Sequence, residues 1–140
     1  MLLGTFHHSL DGKNRLVIPS KLAEELDGKL TVFPSLTDHC LCLYGEAEWQ
    51  AYAAKINAQP RTKVHKLARY IFSNAIQLTP DSQNRIIIPS EMLEKVGIRK
   101  NVVTMSVSSY CEIWAEELYE SEDVAAQPEN MLELMEELDL

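Results

Sequence analysis

Asp11 and Arg15 stand four residues apart, and Asp81 and Arg85 repeat the arrangement 70 positions later. An acid and a base at this spacing can pair along a helix. Gly12 and the run Leu16-Val17-Ile18 argue against a helix here, so the pattern reads as a tight turn between two strands. In such a turn the carboxylates of Asp11 and Asp81 accept hydrogen bonds from backbone amides and hold the arginine. The arginines themselves carry the chemistry. A guanidinium is planar, permanently charged and able to bind two acceptors at once. With Lys13 and Asn14 beside it, Arg15 concentrates donors that suit phosphates and guanine edges. The second turn keeps Asn84 and Arg85 but has Ser82-Gln83 where the first has Gly12-Lys13. It is less basic and less open to close approach. Lys13, Asn14, Arg15, Asn84 and Arg85 are therefore the candidate nucleic-acid-binding residues, Asp11 and Asp81 structure the turns, and the first turn is expected to dominate contact.

These turns belong to a longer duplication. Residues 11–26 read DGKNRLVIPSKLAEEL and residues 81–96 read DSQNRIIIPSEMLEKV. The offset of 70 extends with no insertion to Leu43-Tyr44 against Ile113-Trp114 and Trp49 against Tyr119. Residues 5–49 and 75–119 thus form two repeats, with a helical connector over 50–74 and a tail over 120–140. A unit of this size buries too little apolar surface to be secure alone, so the repeats are expected to share a core.

Each repeat reads as strand, turn, strand, short helix and two further strands. In the first, residues 3–10 and Arg15–Ile18 are strands, and Pro19 stops the second of them. Ser20 is placed to cap a helix over Lys21–Leu26, and Asp27-Gly28 ends it. Leu30–Phe33 and Cys40–Tyr44 follow as strands. The second repeat gives Arg85–Ile88, a helix over Glu91–Val96, then Val102–Val107 and Cys111–Trp114. Glu46–Ile56 is helical by the spacing of Trp49, Tyr52, Ala53 and Ile56. Arg61–Ala75 is a longer helix, with an apolar stripe of Val64, Leu67, Ala68, Ile71, Phe72 and Ala75 and with Arg61, Lys63, Lys66 and Arg69 in or beside its polar part. That helix is either a solvated linker or a polyanion-binding face. A helical segment follows Trp114, Gln127-Pro128 interrupts it, and Met131, Leu134, Met135 and Leu138 form a last apolar stripe.

Composition narrows the function. The chain has 140 residues and a formal net charge of −8, the wrong sign for a nucleic-acid binder. Its distribution corrects that impression. Residues 116–139 hold ten acidic residues and no Lys or Arg, so the remainder carries 13 basic against 11 acidic residues, a net of +2. Cys40, Cys42 and Cys111 are odd in number and two sit in apolar alternation, which suggests buried reduced thiols. His39-Cys40-x-Cys42 has no second Cys/His pair to complete a metal site, so no metal or cofactor is expected. No phosphate loop, nucleophile elbow or His-Glu metal motif is present, and His7, His8, His39 and His65 are scattered, so no catalytic residue is assigned and the chain is not read as an enzyme. No apolar run approaches the roughly 18 residues of a membrane span, and the N-terminus lacks the pattern of a signal peptide. A cytoplasmic protein is expected, with no membrane partner.

The duplicated Asp-x-x-x-Arg turn, followed by a β-branched strand ending in Ile-Pro and a short helix, resembles the AbrB/SpoVT-type swapped-hairpin domain. Two such units in one chain, opening on Gly4-Thr5-Phe6-His7-His8-Ser9-Leu10-Asp11 and joined by a linker ending Phe72-Ser73-Asn74-Ala75, resemble the MraZ family of bacterial transcriptional regulators over roughly residues 3–119. Asn14 and Asn84 stand where that family often has Gly, and Asn tolerates the left-handed backbone such a turn needs. The resemblance implies an α+β, mainly β fold in which the two repeats interleave their hairpins into one pseudo-two-fold β-barrel with flanking helices. It also implies a ring-shaped homo-oligomer at the nucleoid, binding short repeated promoter boxes in double-stranded DNA and regulating the division and cell-wall gene cluster. Arg15 and Arg85 map to the arginines of the two motifs. The alternative is an oligomeric protein-interaction scaffold whose acidic tail binds partners.

Overall fold

The computed structural model describes residues 1–124 and 130–140, and the Gln127-Pro128 interruption lies outside the described residues. The architecture is α+β and mainly β. Its strands are β1 (Thr5–Ser9), β2 (Arg15–Val17), β3 (Leu30–Pro34), β4 (Cys40–Tyr44), β5 (Ile76–Leu78), β6 (Arg85–Ile87), β7 (Asn101–Val107) and β8 (Tyr110–Ala115). Its helices are α1 (Ser20–Ala23), α2 (Glu46–Asn57), α3 (Arg61–Asn74), α4 (Ser90–Lys95), α5 (Glu116–Ser121) and α6 (Met131–Glu137).

Six strands form one antiparallel sheet in the order β1-β7-β8-β4-β3-β5, and β2 pairs with β6 in a separate two-stranded ribbon. The repeats trade strands throughout. β1 of the first lies on β7 of the second, β5 of the second lies on β3 of the first, and among the described residues β2 pairs only with β6. Exchanging each strand for its counterpart reverses the sheet order and leaves it unchanged. The pseudo-dyad passes through two residue pairs, Leu16↔Ile86 in the ribbon and Cys42↔Glu112 in the sheet, and each joins positions 70 apart.

Two expectations are corrected here. The first is the closed barrel. Among the described residues the hydrogen-bonded ladder is open, with β1 and β5 at its edges and the ribbon separate from it. Pro19 and Pro89 follow β2 and β6 within two residues and supply no amide donor, so neither strand can run on into longer pairing. The second is the uninterrupted offset. Val32 pairs with Leu43 while Thr104 pairs with Ile113, so β7 lies 72 positions beyond β3 (104 − 32) although β8 lies 70 beyond β4 (113 − 43). Two extra residues before β7 are recovered by a tighter β7–β8 turn, in which Ser108 takes a φ of 63°.

The sheet has an apolar layer on each face. On one face Leu41 and Leu43 of β4 meet Leu16 and Ile86 of the ribbon, Leu22 of α1 and Leu93 of α4 in a core drawn from both repeats. On the other, Cys42 and Tyr44 meet Trp49 and Ile56 of α2 and Ile71 of α3, while Cys40, Val103 and Trp114 lie beneath α5. Phe33, Tyr44, Tyr52 and Tyr110 stack with centroid separations of 5.0–6.4 Å, which fixes α2 to the sheet.

Local details differ from expectation where tertiary contacts decide. Ser20 and Ser90 are the first helical residues rather than caps, and α1 ends at Ala23. Gly28 and Gly97, at φ of 69° and 71°, turn the chain out of the short helices. Leu67 of α3 is exposed, and Tyr70 packs on the α2–α3 core instead, reaching toward the Pro34 carbonyl. Met131, Leu134 and Met135 of α6 and Leu138 just after it are likewise exposed.

Because Ile86 is 1% exposed at the pair where the repeats meet, Ile86→Ala should destabilise the chain by about 2–5 kcal/mol. Urea unfolding should remain a single transition with a lowered midpoint. Separate transitions for the two repeats would contradict the shared core.

Candidate nucleic-acid interface

Each Asp-x-x-x-Arg turn is built around one carboxylate. Asp11 Oδ1 accepts the amides of Lys13 and Arg15, each at 2.9 Å, while Oδ2 accepts Arg15 Nε at 2.5 Å. Backbone bonds close the loop, with the Asp11 amide donating to the Arg15 carbonyl and the Asn14 amide donating to the Asp11 carbonyl. Asp81 does the same for Gln83 and Arg85 at 2.9, 3.0 and 2.8 Å. The spacing of four residues is therefore the reach of one side chain across a turn.

Asn14 and Asn84 both sit at φ 57°, in the left-handed region. Asn is among the few residues other than Gly that enter it at modest cost. Gly12 is not the strained residue: a Cβ there would meet nothing within 4 Å. Its missing side chain instead leaves the first turn's backbone bare beside exposed Lys13.

Donated hydrogen bonds hold the Asp11 carboxyl down to about 2. The largest contribution comes from the Arg15 amide, against some opposing desolvation, with the Lys13 amide and the Arg15 guanidinium adding to it. The Asp81 carboxyl is lowered in the same way, first by the Arg85 amide. Both aspartates are thus ionised at neutral pH. Each engages its arginine through Nε, and among the described residues the terminal Nη groups have no protein partner. Each fork is left without a protein partner and held by its carboxylate, on an arginine side chain only 27% (Arg15) or 23% (Arg85) exposed.

The ribbon brings the two turns together. Its register is Arg15↔Ile87, Leu16↔Ile86 and Val17↔Arg85, and the Ile18 amide donates to the Asn84 carbonyl at 2.7 Å. Side chains alternate across a strand, so Leu16 and Ile86 point into the core and Arg15, Val17, Arg85 and Ile87 share the outer face. Burial agrees: Leu16 and Ile86 are 1% exposed, Val17 48% and Ile87 59%. All the candidate binding residues therefore lie on or beside one small surface.

Other candidates are placed elsewhere. Cys40, Cys42 and Cys111 are buried free thiols. Hydrogen bonding to Cys42 and burial push the Cys40 thiol up, and burial pushes that of Cys111 up to about 11. His8 bonds Thr104 Oγ1 at 2.8 Å, and His39 meets Glu122 at 2.6 Å. Arg61, Lys63, Lys66 and Arg69 are exposed on α3, which packs on the sheet face opposite the ribbon.

The described geometry is that of two matched units, and comparison with known proteins divides the chain in the same way. The family model described as "MraZ protein, putative antitoxin-like" matches residues 1–68 and again 71–134, with starts 70 positions apart. The chain belongs to the MraZ family. Curated members named "Transcriptional regulator MraZ" align along nearly its whole length. The protein of Clostridium acetobutylicum is 36% identical over 141 residues, covering 96% of this chain and 99% of its own. That of Pediococcus pentosaceus is 37% identical over 140 residues, covering 99% and 96%. That of Thermoanaerobacter sp. is 37% identical over 122 residues, covering 86% and 85%.

The sequence pattern located the turns, but the exposed Val17 and Ile87 beside the arginines were not singled out from it. The signal was available: a period of two over Arg15–Ile18 and Arg85–Ile88 puts each β-branched residue on its arginine's face.

The depressed Asp11 carboxyl has a pH consequence. Its ordinary value is 3.8 and its folded value about 2, so the stabilisation it brings is complete above the ordinary value and is lost as pH falls through about 2. A carboxyl-carbon NMR titration should place the Asp11 midpoint near 2. Asp11→Asn should flatten the acid limb of stability between those two values. An Asp11 midpoint at the ordinary value would contradict the turn geometry.

Proposed function

We propose that the chain is a sequence-specific DNA-binding transcriptional regulator that acts as a ring-shaped homo-oligomer on short repeated promoter boxes of the division and cell-wall gene cluster. The observation that carries this reading is the pair of carboxylate-steered guanidinium forks on one exposed ribbon. The regulator names of its curated relatives point the same way. In this reading residues 5–49 and 75–119 are two AbrB/SpoVT-like units, joined by a connector over 50–74 and followed by an acidic tail from 120. The strand exchange between repeats is the intramolecular form of a swapped-hairpin pairing. The protein works in the cytoplasm at the nucleoid.

Lys13, Asn14, Arg15, Asn84 and Arg85 contact the duplex. Asp11 and Asp81 neutralise much of their arginines' charge at a distance, so one subunit attracts DNA weakly. Affinity then comes from several turns engaging several boxes at once, each raising the effective concentration of the next. Phosphate contacts set the register and a few base contacts supply specificity. Lys13 makes the first turn the stronger partner. The acidic tails point away from the duplex, since they compete with it for the basic turns. A scaffold is the second reading, favoured by the exposed apolar residues of α6, where Leu132 is 76% exposed.

Gel shifts on the duplex upstream of the protein's own gene test the proposal. Arg15→Ala should weaken binding by ~1–3 kcal/mol per engaged turn, and Arg85→Ala should weaken it less. Affinity should fall linearly with log salt, by roughly 0.9 decade per decade for each phosphate neutralised. Unchanged binding in Arg15→Ala, or a flat salt response, would transfer the case to the scaffold.

A further inference from the structure

We propose that Val17 and Ile87 read DNA sequence by packing against the 5-methyl groups of thymines in the major groove. This assignment rests on the DNA-binding reading above and extends it from the arginines to the apolar half of the same surface.

Val17 is 48% exposed and Ile87 59% exposed, although both are paired residues of a ribbon whose other face is closed over the core. Neither is needed to fill that core, because Leu16 and Ile86 occupy it at 1% exposure. Strand propensity does not require them either, since threonine suits a half-exposed strand as well. Scattered single apolar residues on a surface need no explanation. These two are not scattered. In the ribbon register Ile87 stands opposite Arg15 and Val17 stands opposite Arg85. Directly opposed residues bring their Cβ atoms to about 4.5–5.5 Å, so each apolar residue has one arginine across the ribbon and another two positions along its own strand.

The resulting face has two cations on one diagonal and two branched apolar groups on the other. A protein partner with a flat apolar patch would have to bury both arginines beside it without matching acceptors, which is costly. The major groove offers both kinds of partner together. It admits a two-stranded ribbon, presents acceptors to arginine forks, and exposes the thymine methyl as its one apolar group. The pseudo-dyad through Leu16↔Ile86 presents the same arginine-plus-apolar unit twice, running in opposite directions. Two thymines on opposite sides of the ribbon's centre are therefore within its reach. The short turns at either end keep the face clear, since the arginines are drawn toward Asp11 and Asp81 rather than folded over the apolar pair.

The test uses the full-length protein and the footprinted duplex from upstream of its own gene. One preparation carries thymine and a second carries uracil at every thymine of the footprint, which removes only the methyl groups. The parent should bind the uracil duplex at least about fourfold more weakly, the value of one buried methyl. The double variant Val17→Ser/Ile87→Ser removes the methyl groups of both side chains. It should bind both duplexes alike, at the affinity the parent shows for uracil. Equal binding of the two duplexes by the parent overturns this assignment while leaving the DNA-binding reading intact. A variant that keeps the parent's preference also overturns it. If the variant instead changes the native mass of the free protein and retains the preference, the face belongs to a second copy of the chain. Binding of neither duplex by the parent overturns the DNA-binding reading, and this assignment with it.

Discussion

Leu16 and Ile86 face each other across the ribbon, one from each repeat, and both are closed into the core. Much else depends on that pair. Among the described residues β2 has no partner within its own repeat, because its only ladder is with β6. The amide of Ile18 likewise finds its acceptor at Asn84, in the other repeat. An isolated repeat would leave a short strand unpaired and would expose Leu16, Leu22 and Leu26, which the structure buries against Ile86, Ile88 and Met92. Burial across the pseudo-dyad therefore makes the two repeats one folding unit. It also fixes the distance and relative orientation of the two turns, because three paired residues leave little freedom between Arg15 and Arg85.

The turns add electrostatic definition to that frame. One aspartate in each accepts two amides and a guanidinium, so a flexible arginine becomes a directed one. Preorganisation of this kind lowers the ordering cost of binding. Its consequence is weak net attraction, since Asp11 and Asp81 offset Arg15 and Arg85 and leave Lys13 as the surplus charge. The chain's overall charge of −8 then looks less contradictory. In the proposed reading specific contacts and multiplicity carry the binding, rather than a broad positive field.

Much of this was legible in the sequence because the duplication announced it. The repeat located both turns, and the chemistry of Asp, Asn and Arg indicated how each is built. Helices α2 and α3 followed from their apolar spacing. Pairing partners were not legible: local patterns placed the strands but could not say that β1 would lie on β7 or β5 on β3. The two-residue shift of β7 against β3 escaped for a related reason. The surrounding offset of 70 is restored by β8, and only the ladder register reveals the compensation. Ser20 shows the same limit at smaller scale. Its residue type suits a cap, but Pro19 takes the position before the helix and Ser20 becomes its first residue. Val17 and Ile87 were passed over because a β-branched run was read as uniformly structural, whereas its alternation divides it between core and surface.

In the proposed reading the ribbon turns, and not the basic face of α3, meet DNA. The most direct measurement follows the arginine Nε–H signals by NMR while a promoter duplex is added. Arg15 and Arg85 should shift at stoichiometric DNA, with Arg61 and Arg69 on the opposite side of the sheet unchanged. Shifts confined to Arg61 and Arg69, with Arg15 and Arg85 unmoved, would contradict the account.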